Sequence, residues 1–169
     1  MIAFDRVEAK SWWLRVIVGK RPLLTLLRIA FVISLATFLF KVVLVPIRVR
    51  GSSMVPTYQD GAINFVNRLS YRHAKPRRGD IVVTIEPEHH EFLILKRVVG
   101  LPGETIAVRR GAISINGTPY QDKYSTAPLT PAFRSRKLAD GEYFIIGDNR
   151  VVSEFYFVTL PEIVGKVIF

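Results

Sequence analysis

The residues best able to do chemistry in this sequence are two serines in a tight loop and a lysine set in an apolar run. The stretch GSSMVPT, Gly51 to Thr57, places Ser52 and Ser53 just ahead of Met54, Val55 and Pro56. Pro56 pushes Val55 out of the helical region and Gly51 frees the backbone before the serines, so the loop can present a hydroxyl outward. Most loop serines are solvated or cap a nearby backbone group, and one that attacks a carbonyl needs a base to take its proton. Histidine is the first candidate. His73, His89 and His90 all stand in charged, turn-like surroundings (YRHAKPRRGD and EPEHHEF), with no carboxylate obviously placed to orient them. The adjacent His89 and His90 would point to opposite faces of a strand, which argues against a metal site. Lys96 differs, because FLILKRVVG sets Ile94 and Val98 two residues to either side on its own face. If that face is buried, the ammonium is desolvated, its pKa falls and the neutral amine can act as a base. On pattern alone the plainer reading, Lys96 as the polar face of an edge strand, is favoured.

The elements that must position these residues follow from hydrophobic patterning. The chain has 169 residues, 49% of them hydrophobic, and its mean hydropathy of +0.24 is high for a small soluble protein. The run from Leu23 to Ile47 is long enough to cross ~30 Å of hydrocarbon. Pro46 closes it, and Arg28 and Lys41 lie near opposite ends, where they can snorkel to headgroups. The run follows about twenty residues of leader and lacks a small-residue exit, so it is expected to be an uncleaved anchor. Arg6, Lys10, Arg15, Lys20 and Arg21 outweigh Asp5 and Glu8 in the leader, which predicts a cytoplasmic N-terminus and an external segment after Arg48. Trp12 and Trp13 could seat that leader at the interface. The expected organisation is a basic leader over 1–22, an anchor over 23–47 and an external domain over 48–169.

Beyond the anchor the pattern becomes short β-prone runs separated by turns: INFV, DIVVTI, FLILKRVVG, TIAV, AISING, YFIIG and IVGKVIF. A mainly β domain is predicted, with the polar, proline-containing stretch Gln121 to Lys137 as a surface excursion between strands. The net charge of +10 is scattered, with no aromatic-basic stripe, so an anionic membrane surface fits better than nucleic acid. The absence of cysteine removes disulfides, zinc-thiolate sites and thiol catalysis together. No metal or cofactor is expected.

GSSMVPT, GDIVV, LKRVVGLPGE and GDNRVVS follow the anchor in that order across about a hundred residues. Together they resemble the boxes of the type I signal peptidase family, over essentially the whole external domain. The resemblance implies a β-rich fold of that type. It also implies cleavage of signal peptides from translocated preproteins by a serine-lysine dyad at the inner (plasma) membrane, with the preprotein and the lipid bilayer as partners. It makes Ser53 the nucleophile, Lys96 the general base and Ser153 the hydroxyl that orients the lysine. Val49 and Leu95 match positions lining shallow pockets for small residues at the first and third positions before the cut. Arg97 and Asp148 match a structural ion pair, which contributes little if exposed. The backbone N–H of Ser53 is the natural oxyanion donor; where the family often adds a hydroxyl two residues earlier, this chain has Gly51.

One departure stands out. After GDNR and the serine, the family usually continues with one residue, then Asp-Ser-Arg and an aromatic-glycine pair, whereas this chain has Glu154-Phe155-Tyr156-Phe157. The resemblance therefore implies a divergent member in which hydrophobic packing replaces a polar brace. Other readings compatible with the sequence are a peptidase specialised for one substrate, as in conjugative transfer, and a non-catalytic membrane scaffold. The self-cleaving repressor-type proteases share the dyad, but the anchor argues against them.

Overall fold

A computed structural model of the chain describes residues 21–88, 90–124, 127–130 and 132–168. The leader up to Lys20, with Trp12 and Trp13, and His89 lie outside the described residues. The chain divides into two compact units, Met1–Lys41 and Val42–Phe169.

The first unit is built on helix α1, Pro22–Phe38. Proline at its first position loses nothing there, because the first-turn N–H groups have no intrahelical partner. A single π-helical turn, Leu39–Val43, continues it. Pro22–Val43 is long and apolar enough to cross a membrane, with a mean hydropathy of 2.3. Its length is about 33 Å at the usual helical rise. Leu23, Leu27, Phe31, Ile33, Leu35 and Phe38 are all exposed although they surround the axis. A helix apolar on every side belongs in a protein core or in lipid.

The second unit is the β domain. Its strands are β1 (Leu44–Arg48), β2 (Ile63–Asn67), β3 (Ile81–Ile85), β4 (Leu93–Gly100), β5 (Thr105–Arg109), β6 (Ala112–Ile115), β7 (Thr118–Pro119), β8 (Phe133–Lys137), β9 (Glu142–Ile146), β10 (Phe155–Thr159) and β11 (Ile163–Val167). They form a seven-stranded sheet in the order β1-β2-β11-β3-β4-β9-β10 and a four-stranded sheet in the order β7-β6-β5-β8. Every pairing is antiparallel. Each β-prone run read from the sequence is a strand. The apolar run to Ile47 is divided, however: helical geometry ends at Val43 and Leu44 begins β1. Pro46 is tolerated there because β1 is an edge strand, where a missing N–H costs no ladder bond. Part of the expected excursion is also a strand, since Phe133–Lys137 pairs with β5. Its alternation is illegible because Arg134, Ser135, Arg136 and Lys137 are all exposed and only Phe133 turns inward.

Side-chain alternation sorts β9 and β10 between two cores. Phe144 and Ile146 join Val99, Ile106, Val108, Ile113, Leu129 and Leu138, while Tyr143 and Ile145 join Val82, Val98, Tyr156, Val158 and Ile163 on the other face. Phe155 and Phe157 go to the first core, where they meet Phe133 and Phe144 at centroid distances of 5.3–5.7 Å, within the favourable range for aromatic pairs. Tyr156 goes to the second. That second core is the face on which Lys96 lies.

Candidate active site

Lys96 sits in β4, an interior strand flanked by β3 and β9. It pairs across β3 with Val82 and is only 5% exposed. The edge-strand reading is thereby excluded by sheet order, which no local pattern encodes. Its neighbours along the face are Ile94 and Val98, as the alternation predicted. Burial pushes the lysine pKa down from 10.5 to about 8, against opposing pulls from the carboxylates of Glu154 and Glu86. A desolvated ammonium loses more hydration than those charges restore.

The lysine is held by Ser153, whose Oγ lies 2.8 Å from Nζ. The same Oγ accepts the Gly147 N–H at 2.9 Å and donates to the Glu154 carbonyl at 3.1 Å. A hydroxyl has one proton and two lone pairs. With its proton committed to Glu154 and one lone pair to Gly147, Ser153 must accept from Lys96. The lone pair of a neutral Nζ is then free to face elsewhere.

Ser53 reaches the same place from a distant loop. The loop leaves β1 at Val49 and is closed by mutual backbone bonds of Val49 with Ala62 and Gly61, both 2.9 Å. Inside it, the Ser53 carbonyl accepts the Asn149 N–H at 3.0 Å and the Ser52 carbonyl accepts Asn149 Nδ2 at 3.1 Å. Gly147 packs into this junction. A Cβ at position 147 would collide with both the Ser53 carbonyl and the Ser153 side chain, so only glycine admits the three segments together. Met54, next in the loop, is 1% exposed and anchors the turn.

Ser53 and Lys96 line one cleft of about 350 Å³, between the Ile47–Arg50 segment on one side and Leu93–Leu95 on the other. Val49 and Leu95 are in its wall. The Ser53 N–H makes no hydrogen bond among the described residues, as an unspent oxyanion donor would. Gly51 offers no second one, because its N–H is donated to Asp60 Oδ1 at 2.8 Å.

Arg97 points to the opposite face from Lys96 and meets Asp148 in a two-pronged contact, Nε to Oδ1 at 2.7 Å and Nη2 to Oδ2 at 2.6 Å. The exposed pair considered from the sequence is in fact buried, with side chains 5% and 0% accessible. Arg97 also donates to the Gly79 carbonyl at 2.8 Å and lies 3.5 Å over the Tyr124 ring. Thr57, from the serine loop, donates to the same Asp148 carboxylate. The pair therefore ties together the serine loop, β4 and the Gly147–Asn149 turn.

His73 and His90 are exposed and neither lines the cleft. Among the described residues no group of three or more His, Asp or Glu side chains is disposed to hold a metal ion. Sequence reasoning passed over Asn149, Gly147 and Asp60, which fix the serine loop. It also passed over Tyr156, whose place in an F-Y-F alternation was the available signal.

Comparison with known proteins finds relatives over most of the chain. Over 139 residues the chain is 36% identical to signal peptidase I of Bacillus caldolyticus, covering 72% of this chain and 75% of that one. It is 32% identical over 155 residues to probable signal peptidase I-1 of Synechocystis, covering 85% and 78%. With signal peptidase I T of Bacillus subtilis it shares 36% identity over 126 residues, covering 69% and 63%. Residues 23–169 match the model of the family described as signal peptidase, peptidase S26. The buried, serine-held lysine, the loop serine sharing its cleft and these matches lead to one conclusion: the chain belongs to the signal peptidase family, peptidase S26.

Proposed function

We propose that this chain is a membrane-anchored signal peptidase in which Ser53 is the nucleophile and Lys96 the general base. The observation that carries the reading is Lys96 itself, buried in an interior strand, hydrogen-bonded to Ser153 and sharing a cleft with Ser53. Neutral Nζ takes the Ser53 proton as Oγ attacks the carbonyl carbon at the cleavage site, and the charge developing on the carbonyl oxygen meets the Ser53 N–H. Collapse of the tetrahedral intermediate expels the mature chain's amine, which receives the proton from Lys96 and leaves an acyl ester on Ser53. Water, deprotonated by the same Nζ, then attacks the ester and releases the signal peptide's carboxylate. Arginine could not serve, because a guanidinium stays protonated throughout.

The substrate lies extended between the Ile47–Arg50 segment and β4, and Val49 and Leu95 form the shallow floor that favours small residues beside the cut. The helix Pro22–Val43 anchors the chain in the plasma membrane, with the N-terminus cytoplasmic and the β domain outside, where emerging signal peptides are met. One experiment tests orientation and chemistry together. Right-side-out vesicles bearing the chain should cleave an added preprotein without detergent, and vesicles bearing Ser53→Ala should not, whereas Ser52→Ala should retain substantial activity. Equal loss in both serine variants, or activity confined to inside-out vesicles, would overturn the proposal.

A further inference from the structure

Strand β10 carries this chain's own sequence at the place where the family pattern breaks, and the structure shows what stands there. Phe155 and Phe157 turn away into the aromatic cluster, leaving Tyr156 on the lysine face. The Tyr156 hydroxyl lies 2.7 Å from Glu154 Oε2 and 3.1 Å from Glu86 Oε1. Its ring centroid is 5.6 Å from Lys96 Nζ. Glu154 directly follows Ser153, and Glu86 directly follows β3, the strand against which Lys96 pairs. Two carboxylates thus meet at one hydroxyl whose ring lies beside the base, yet among the described residues Lys96 is in no ion pair and its side chain is bonded to Ser153. The phenol is 9% exposed. Burial and both carboxylates push its pKa up, so it keeps its one proton, which the two acids share.

We propose that Tyr156 is a positioning residue for the base: its phenol holds Glu86 and Glu154 and keeps both carboxylates from pairing with the Lys96 ammonium. The proposal rests on the reading of Lys96 as general base. A carboxylate in direct contact would stabilise the ammonium and remove the free amine that catalysis needs, typically raising the lysine pKa by about 1 to 3 units. Held at the phenol, the two acids act on the lysine only from a distance. The remaining groups facing it are few. Arg48 and Arg50 line the cleft from the β1 side, Ser153 comes from the turn before β10, and Tyr143 of β9 lies in the same core as Tyr156. The break in the family pattern has therefore brought a polar device with it, beside the aromatic packing of Phe155 and Phe157.

The test reads the lysine directly. Full-length protein in detergent micelles is labelled with 13C-lysine, the Lys96 Cε resonance is assigned by its loss in Lys96→Arg, and its shift is followed against pH. Tyr156→Phe keeps the ring and should raise the Lys96 midpoint from about 8 by about one unit or more. Adding Glu86→Gln and Glu154→Gln to that variant should bring the midpoint back to the wild-type value or below. In a cleavage assay the acid limb should move with it, so that Tyr156→Phe loses about tenfold at pH 7 and recovers at high pH. An unmoved midpoint in folded Tyr156→Phe, or a raised one that both glutamine substitutions leave in place, overturns the proposal. Because the titration needs no turnover, a wild type that cleaves no signal peptide refutes the proposed function without touching the tyrosine's hold on the acids.

Discussion

Replacing Lys96 by methionine should make the protein inactive and more stable. The side chain is 5% exposed and its pKa stands at about 8 against an ordinary 10.5. At ~1.4 kcal/mol per unit, holding the ammonium in this site costs at most ~3.5 kcal/mol relative to the unfolded chain. Methionine has a similar reach, carries no charge and fills irregular apolar space well. It leaves Ser153 with two partners, the Gly147 N–H and the Glu154 carbonyl. A gain of about 1–3 kcal/mol is therefore expected at pH 7. The pH dependence is the sharper signature. Folded lysine titrates near 8 and unfolded lysine near 10.5, so between those values the unfolded state holds more protons and wild-type stability rises with pH. The advantage of Lys96→Met should be full below pH 8 and close as pH approaches 10.5. Urea titration of the full chain in detergent at pH 7 and pH 10, following near-UV circular dichroism, measures both. A variant less stable than wild type at pH 7, or a difference of the same size at both pH values, would refute the claim that the lysine is held against its solvation.

Two further substitutions probe the junction around the cleft. Gly147→Ala forces a methyl group between the Ser53 carbonyl and Ser153, and should cost about 1–3 kcal/mol of stability and lower kcat far more than it raises KM; unchanged turnover would mean that the two serines are not clamped through this glycine. Asp148→Ala strips the buried Arg97 of its partner and should lower stability by about 3–5 kcal/mol in the same urea assay, whereas replacing Arg97 and Asp148 together by methionine and leucine should recover most of that loss.

Much of the candidate site was readable because each of its motifs carries a local signal. The alternation around Lys96, the breakers around Ser53 and the order of the boxes all lie within short windows. What the sequence withheld was relational. Whether Lys96 sits on an edge or an interior strand depends on β9 returning to pair with β4, a contact made some fifty residues downstream. The burial of Arg97 and Asp148 depends on the same return. Strand β8 escaped notice because four of its five residues face solvent and only Phe133 reaches the core. The contact of Tyr156 with Glu86 spans seventy residues, and neither residue type announces it.

Lys96 and Arg97 are consecutive cations on one interior strand, facing opposite ways. Under the proposed mechanism one sheds its proton to work, and the other keeps its charge beside Asp148. If β4 slid by one position against β3 and β9, the guanidinium would enter the cleft and the amine would be left opposite the carboxylate. Ordinary sheets fix their register through the hydrophobic set that a slip would expose. In β4 the stretch from Lys96 to Gly100 is buried on both faces, so hydrophobicity discriminates weakly there. Charge does the discriminating instead: the Arg97–Asp148 contact acts as a keyed fit that only one alignment satisfies, and the lysine is in register with Ser153 because its neighbour is locked to the opposite side.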